Sequence, residues 1–238
     1  TNVFAHIPNL QSFIEGINIL LDDNGVFVNE SHYLVDILQK NQFDSIYHEH
    51  LRYYSVHSLE KLFSYYDLHI SDVERIKNYG GSIRVFTQKT NTNSKKLEKM
   101  KSLEIREKVH LISTYEKFAS KILHLKKELK KILSEKKKKG YDIYAIGCPG
   151  RASTLVNFFE IDNKSITAIC EQSNSLKLGM FLPGEKIPIV DEKILFDIQP
   201  EYCLMLSWHY SKEIIAILRK KGLKSKIIIP LPEISIIE

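Results

Sequence analysis

From Tyr141 onward the chain alternates short apolar runs with amphipathic stretches, and that alternation restricts its fold more than any other feature. The runs Asp142 to Ile146, Ser165 to Cys170, Glu201 to Leu206 and Lys226 to Ile229 read as strands, while Ala152 to Phe159 and Lys212 to Lys220 read as helices. Strands that alternate with helices build a parallel sheet covered by those helices. Residues 141–238 are therefore expected to form a Rossmann-like α/β domain. The turn after its first strand, Gly147-Cys148-Pro149-Gly150-Arg151, opens a helix and so places backbone N–H groups beside a cation, which suits a phosphate. It lacks the Lys-Ser/Thr ending of a phosphate loop and the three-glycine spacing of a dinucleotide fingerprint, so a plain tight connection is an equally good reading.

Residues 1–90 have another texture. A helix is expected from Pro8 to Leu21, a strand from Val26 to Asn29, a short helix over Tyr33 to Gln39 and a helix over Val56 to Tyr66. Leu68 to Lys77 and Ser82 to Gln88 alternate about Tyr79-Gly80-Gly81, the pattern of an antiparallel hairpin. Between the two regions, residues 91–140 read as a long helical connector. Leu97, Met100, Leu103, Val109, Ile112, Tyr115, Phe118, Ile122, Leu125, Leu129 and Ile132 recur three or four apart there.

The formal charge of +5 on 238 residues becomes informative once it is located. Residues 94–140 hold sixteen Lys/Arg against six Asp/Glu, so the rest of the chain is net acidic. A solvated helix face explains this stripe. It is almost all Lys, with its aromatics on the apolar side, and so no nucleic-acid partner is expected. No apolar stretch approaches a membrane span. Cys148, Cys170 and Cys203 each lie in or beside an apolar run, as buried thiols of a reducing, cytoplasmic protein would.

Tyr47-His48-Glu49-His50 packs a phenol, two imidazoles and a carboxylate into one short loop. Three readings stay open on the residues alone. These groups can serve proton transfer, with a base, an orienting partner and a donor to an oxyanion in one place. His48 and His50, with His57 or His6, can share a face and hold a metal. Or they are satisfied polar residues at an interface, with Tyr53 and Tyr54 as packing.

Seven stretches in one order bear on that choice. They are Asn2 to Pro8, Gly25 to Val28, Phe43-Asp44 through Tyr47 to Leu51, Gly80 to Val85, Gly147 to Asn157, Phe181 to Gly184, and Ile229 to Glu233. Together they resemble the S-adenosylmethionine-dependent sugar C-methyltransferases that act on nucleotide-linked 4-keto-deoxysugars, nearly end to end. The resemblance implies His50 as the base that takes the proton next to the ketone, with Tyr47, Glu49 and His6 around the reaction centre and no metal at that step. It also implies Asn2 at the edge of the cofactor site. Arg84, Gly147, Gly150, Arg151, Thr154 and Asn157 are implied on the side of a nucleotide-linked sugar.

This chain departs from the family pattern in instructive places. It contains neither the zinc-binding cysteine cluster nor the glycine-rich S-adenosylmethionine loop that the family carries ahead of the point matching Asn2. Zinc and most of the methyl-donor site are thus expected in a missing N-terminal part, and the chain is expected to be inactive alone. Cys148, Arg151, Ala152 and Ser153 stand where Ala, Lys, Gly and Asn are usual, and Arg52 replaces a small residue. On this reading residues 1–90 are the end of a methyl-donor domain with the catalytic loop and hairpin, and 141–238 are the substrate domain. A non-catalytic sugar-nucleotide-binding module is the rival class.

Overall fold

The computed structural model describes residues 2–92 and 94–238, which divide into two compact units. The first comprises residues up to Gln42 and Tyr47–Phe118, and the second Phe43–Ile46 with Ala119–Glu238.

The first unit opens with a single 3-10 turn, Phe4–His6, followed by α1 (Leu10–Leu20), β1 (Phe27–His32), α2 (Leu34–Gln39), α3 (Val56–Ser64), β2 (His69–Ile76), β3 (Ser82–Gln88), α4 (Lys95–Arg106) and the start of α5 (Ile112–Lys138). Asn9 caps α1 by accepting from the Ser12 N–H at 3.1 Å, so the helix begins two residues after Pro8. The expected hairpin is present as β2 and β3, antiparallel, and β1 adds to its other side to give the order β1-β3-β2. One face of this sheet buries Ile70, Val73, Ile83 and Val85 against Leu59 and Phe63 of α3 and Leu97 of α4.

The stripe read as one connector over 91–140 is two helices. Lys108 adopts φ +55, its N–H donates to the Ile105 carbonyl at 3.0 Å, and the Val109 N–H reaches Glu104 O at 3.2 Å. That is a Schellman stop with Lys where Gly is usual. The stop leaves Glu104 fully buried, and its carboxylate caps α3. It accepts from Val56 N (2.5 Å), His57 N (3.0 Å), His57 Nδ1 (2.6 Å) and the Tyr33 hydroxyl (3.0 Å). Apolar periodicity continues across the break and hides it from a sequence pattern.

The second unit contains the rest of α5, β4 (Ile143–Ile146), α6 (Ala152–Phe158), β5 (Ala168–Glu171), β6 (Ile189–Asp191), α7 (Lys193–Ile198), β7 (Tyr202–Met205), α8 (Ser211–Lys220), β8 (Lys226–Ile229) and β9 (Ser235–Ile237). Among the described residues these strands form one sheet in the order β6-β5-β4-β7-β8-β9, parallel except for β9. It is the Rossmann-like α/β arrangement expected from the alternation. β4 and β7 are buried at every position, as strands covered on both faces must be. The three cysteines are free thiols in this core. Burial raises all three, Cys203 to about 11, so they stay protonated and apolar in character.

The sheet order reverses direction between β4 and β7, and in open α/β sheets ligands collect outside the strand ends at such a point. The loops that leave those strands are Gly147–Arg151 and Leu206–Tyr210. A 3-10 turn, Phe43–Ser45, also belongs to this unit, with Phe43 stacked on Phe159 at 4.7 Å between centroids. No described helix is long and apolar enough to cross a membrane.

Candidate active site

In the first unit the Tyr47–His50 loop closes on itself through the His50 N–H, which donates to Tyr47 O at 3.0 Å. The Leu51 N–H then donates to Ala5 O at 3.1 Å, which ties the loop to the turn that carries His6. Arg52 strengthens the same junction by donating to Ile7 O at 2.5 Å and Pro8 O at 3.1 Å. A residue that departs from the family pattern is here a clamp for the segment after His6.

These backbone contacts gather rings about His50. The Tyr47 hydroxyl is 3.3 Å from His50 Nε2, and the two ring centroids are 4.4 Å apart. His6 lies 5.0 Å from His50 and Tyr53 6.3 Å, both edge-on. Burial raises the Tyr53 hydroxyl and pushes Tyr54 up to about 12, so both remain neutral phenols across the working range. His48 and Glu49 project outward as exposed side chains, His48 with its ring 6.0 Å from Tyr47.

The metal-ligand reading asked more of these histidines than the fold supplies. His57 points to Glu104, and among the described residues no group of three His, Cys, Asp or Glu side chains is placed to hold a metal ion. Of the other residues singled out in this unit, Asn2 donates its N–H to Glu30 O at 2.9 Å with φ +56. Arg84 grips the buried Glu30 carboxylate through Nε (3.1 Å) and Nη2 (2.8 Å), with Glu74 at 3.7 Å across the sheet.

In the second unit Gly147 sits at φ +77, and a Cβ there would lie 2.1 Å from Ser207 Oγ. Only glycine lets the β4 loop meet the β7 loop this closely. The Cys148 N–H donates to Glu171 Oε1 at 2.9 Å, whereas Gly150 is exposed with open space about it. Arg151 is largely buried. Its guanidinium contacts His209 Nε2 and stands 3.8 Å from Asp44 Oδ1, and the Trp208 indole donates to Asp44 Oδ2 at 2.9 Å. Burial outweighs both partners and pushes the Asp44 carboxyl up to about 6. Thr154 is half-buried on α6. Asn157 donates to Ser153 O (2.7 Å) and Pro183 O (2.9 Å), and its side chain fills the space beside Gly184, where a Cβ would lie 1.9 Å from Asn157 Oδ1. Two motifs distant in sequence, Gly147–Asn157 and Phe181–Gly184, thus meet through one amide.

Residues 77–232 match the family described as the C-methyltransferase C-terminal domain. The chain belongs to that family. It is also similar to the C-methyltransferase NovU of Streptomyces niveus, 32% identical over 235 residues, which are 97% of this chain and 56% of that protein. The chain thus spans about half the length of the curated relative it matches. The family match takes in Arg84 and the whole Gly147–Asn157 stretch, while the Tyr47–His50 loop lies in the part covered by the likeness to NovU.

Several residues of both clusters were not singled out as site residues in the sequence. His32 ends β1 with its ring 4.8 Å from His50. Asp44, Trp208 and His209 surround Arg151. For His32 the signal was strand parity: alternation from the buried Tyr33 puts His32 on the opposite face. Asp44 lies in the Phe43-Asp44 stretch, but nothing local marks its partner Trp208, which is 164 residues away.

Proposed function

We propose that this chain is part of an S-adenosylmethionine-dependent C-methyltransferase that methylates the carbon next to the ketone of a nucleotide-linked deoxysugar. The observation that carries the reading is the gathering of Tyr47 and His6 about His50, with ring centroids 4.4 and 5.0 Å from its own, on a loop tied by backbone hydrogen bonds to the turn that carries His6. A proton alpha to a ketone is acidified by the carbonyl, and an imidazole that is unprotonated near neutral pH is suited to take it. His50 is that base. The Tyr47 hydroxyl or the His6 imidazole donates to the enolate oxygen that forms, and Glu49, exposed beside His50 in the chain, completes the group. S-adenosylmethionine, when bound, supplies an electrophilic methyl group for the carbon. Asn2 is proposed at the edge of its site, with the remaining contacts from sequence outside this chain.

The nucleotide-linked sugar is assigned to the switch-point loops of the second unit, with Gly147, Gly150, Arg151, Thr154 and Asn157 as its residues. Arg151 and the open surface at Gly150 are the features suited to a diphosphate.

The test uses the complete enzyme. His50→Asn is expected to lower kcat by about 100-fold or more with KM changed little, because it deletes a group needed only as the proton leaves. Exchange of the proton next to the ketone with deuterated solvent should vanish in parallel. Persistent exchange in that variant would assign the base to another group.

A further inference from the structure

His32 belongs to no motif, yet its ring stands 4.8 Å from that of His50 at an interplanar angle of 79°. The position is fixed from behind. β1 pairs with β3 up to His32 and Ser82, and the next residue, Tyr33, is fully buried with its N–H on Gly81 O (3.2 Å) and its hydroxyl on Glu104. With Tyr33 held inward, strand alternation turns His32 to the other face, where it is half-buried beside His50.

We propose that His32 is a positioning residue that acts through His50, holding it in the unprotonated state in which it can serve as a base. The proposal rests on the assignment of His50 made above. Two imidazoles this close resist carrying two charges, so the first proton taken by the pair opposes the second, and the midpoints belong to the pair rather than to either ring. Other groups face the pair as well. His6 comes from the 3-10 turn, Tyr47 and Tyr53 from the loop, and Tyr79 from the hairpin turn with its ring 6.4 Å from His32. His48 and Glu49 flank His50 in the chain, both exposed, and Glu30 is held by Arg84. Arg52, on the carbonyls after His6, adds a fixed positive charge that acts in the same sense as His32. Among the imidazoles named, His32 has the shortest ring-to-ring distance to His50, 4.8 Å against 5.0 Å for His6.

The experiment is the pH dependence of kcat/KM for the complete enzyme and for His32→Phe, which keeps a ring of similar size and removes its charge. The acid-side midpoint should rise by about half to one pH unit. Activity should then fall roughly three- to tenfold at pH 6 and less than twofold at pH 8.5. An equal loss at every pH, with the midpoint unmoved, is the result of a purely structural role and overturns the proposal. His32→Gln, a polar and uncharged replacement, should move the midpoint in the same direction and serves if the Phe variant does not fold. NMR titration of the His50 ring, assigned by its disappearance in His50→Asn, separates the two levels of the argument. A midpoint that moves by NMR but not in the kinetics upholds the coupling and sinks His50 as the base. A midpoint unmoved in both overturns the coupling and leaves the base assignment standing.

Discussion

In the first unit the groups of chemical interest hang from an irregular loop whose geometry is set by hydrogen bonds to backbone carbonyls: His50 N to Tyr47 O, Leu51 N to Ala5 O, and the Arg52 guanidinium to Ile7 O. In the second they sit on loops that leave adjacent parallel strands, and their place follows from where the order β6-β5-β4-β7-β8 turns back. The first arrangement leaves titratable rings half-exposed beside one another. The second draws a carboxylate, an indole and a guanidinium largely out of water. Local backbone closure thus yields a cluster able to exchange protons with solvent. Strand-end topology instead yields a buried polar knot whose charge state depends on burial.

The largest effect expected outside the proposed chemistry falls on the first unit. Glu104 satisfies four donors at once, two of them orphan N–H groups at the start of α3, and it is fully buried. Glu104→Ala strands those donors and should lower stability by about 3–4 kcal/mol, with Glu104→Gln intermediate because one carbonyl oxygen remains. Urea denaturation of the 238-residue chain, followed by fluorescence and far-UV circular dichroism, measures it. A loss below about 1 kcal/mol would show that packing from α4, rather than the Glu104 carboxylate, fixes the start of α3.

Next is the buried knot of the second unit, where the sign is opposite to that of an ordinary paired carboxylate. Asp44 binds its proton more tightly folded, at about 6, than at its ordinary 3.8. Its stabilising contribution is therefore fully present below the unfolded value and is lost as pH rises through 6, by about 3 kcal/mol at most. Asp44→Asn keeps an acceptor for the Trp208 indole and removes the titration. The variant's stability, relative to the parent chain, should rise between pH 5 and pH 7.5. A difference that stays flat over that range would mean that Arg151 fully compensates the charge.

The fold of the second unit was the more legible in the sequence, for a physical reason. Strands buried on both faces must be apolar throughout, so β4, β5, β7 and β8 announce themselves, and β8 has the bounds read from its residues. β6, α7 and β9 escaped that reading because they are three to six residues long, too short for periodicity to speak. In the first unit β3 was legible from its alternation, yet the partnership of β1 with β3 was not, since pairing of residues as far apart as Phe27 and Thr87 leaves no local mark. The site divides likewise. Tyr47, His48, Glu49 and His50 were visible as chemistry, but which of them converge was decided by turns. The places of His32 and Asp44 in these clusters follow from strand pairing and long-range packing, which no local pattern displays.

The smallest effects concern the basic stripe, and they test whether the second unit's cations are specific. Lys126 and Lys130 both reach Glu160 at 2.6 Å and hold its carboxyl down to about 2, while Lys127 faces solvent between them. Lys136 leans on Tyr202, its Nζ 3.1 Å from the hydroxyl, so a clean probe of the solvated face must avoid it. Arg151→Ala in the complete enzyme should weaken nucleotide-sugar binding by about 1–3 kcal/mol, the range for a lost charged hydrogen bond. Lys127→Gln should change binding by no more than a few tenths of a kcal/mol, and that only at low salt, because an exposed charge beyond a Debye length is screened. Calorimetric titration with a deoxynucleoside diphosphate at two ionic strengths distinguishes them. Should Lys127 matter as much as Arg151, binding follows the overall field of the stripe, and the Gly147–Arg151 loop is only a strand-to-helix connection closed by Ser207.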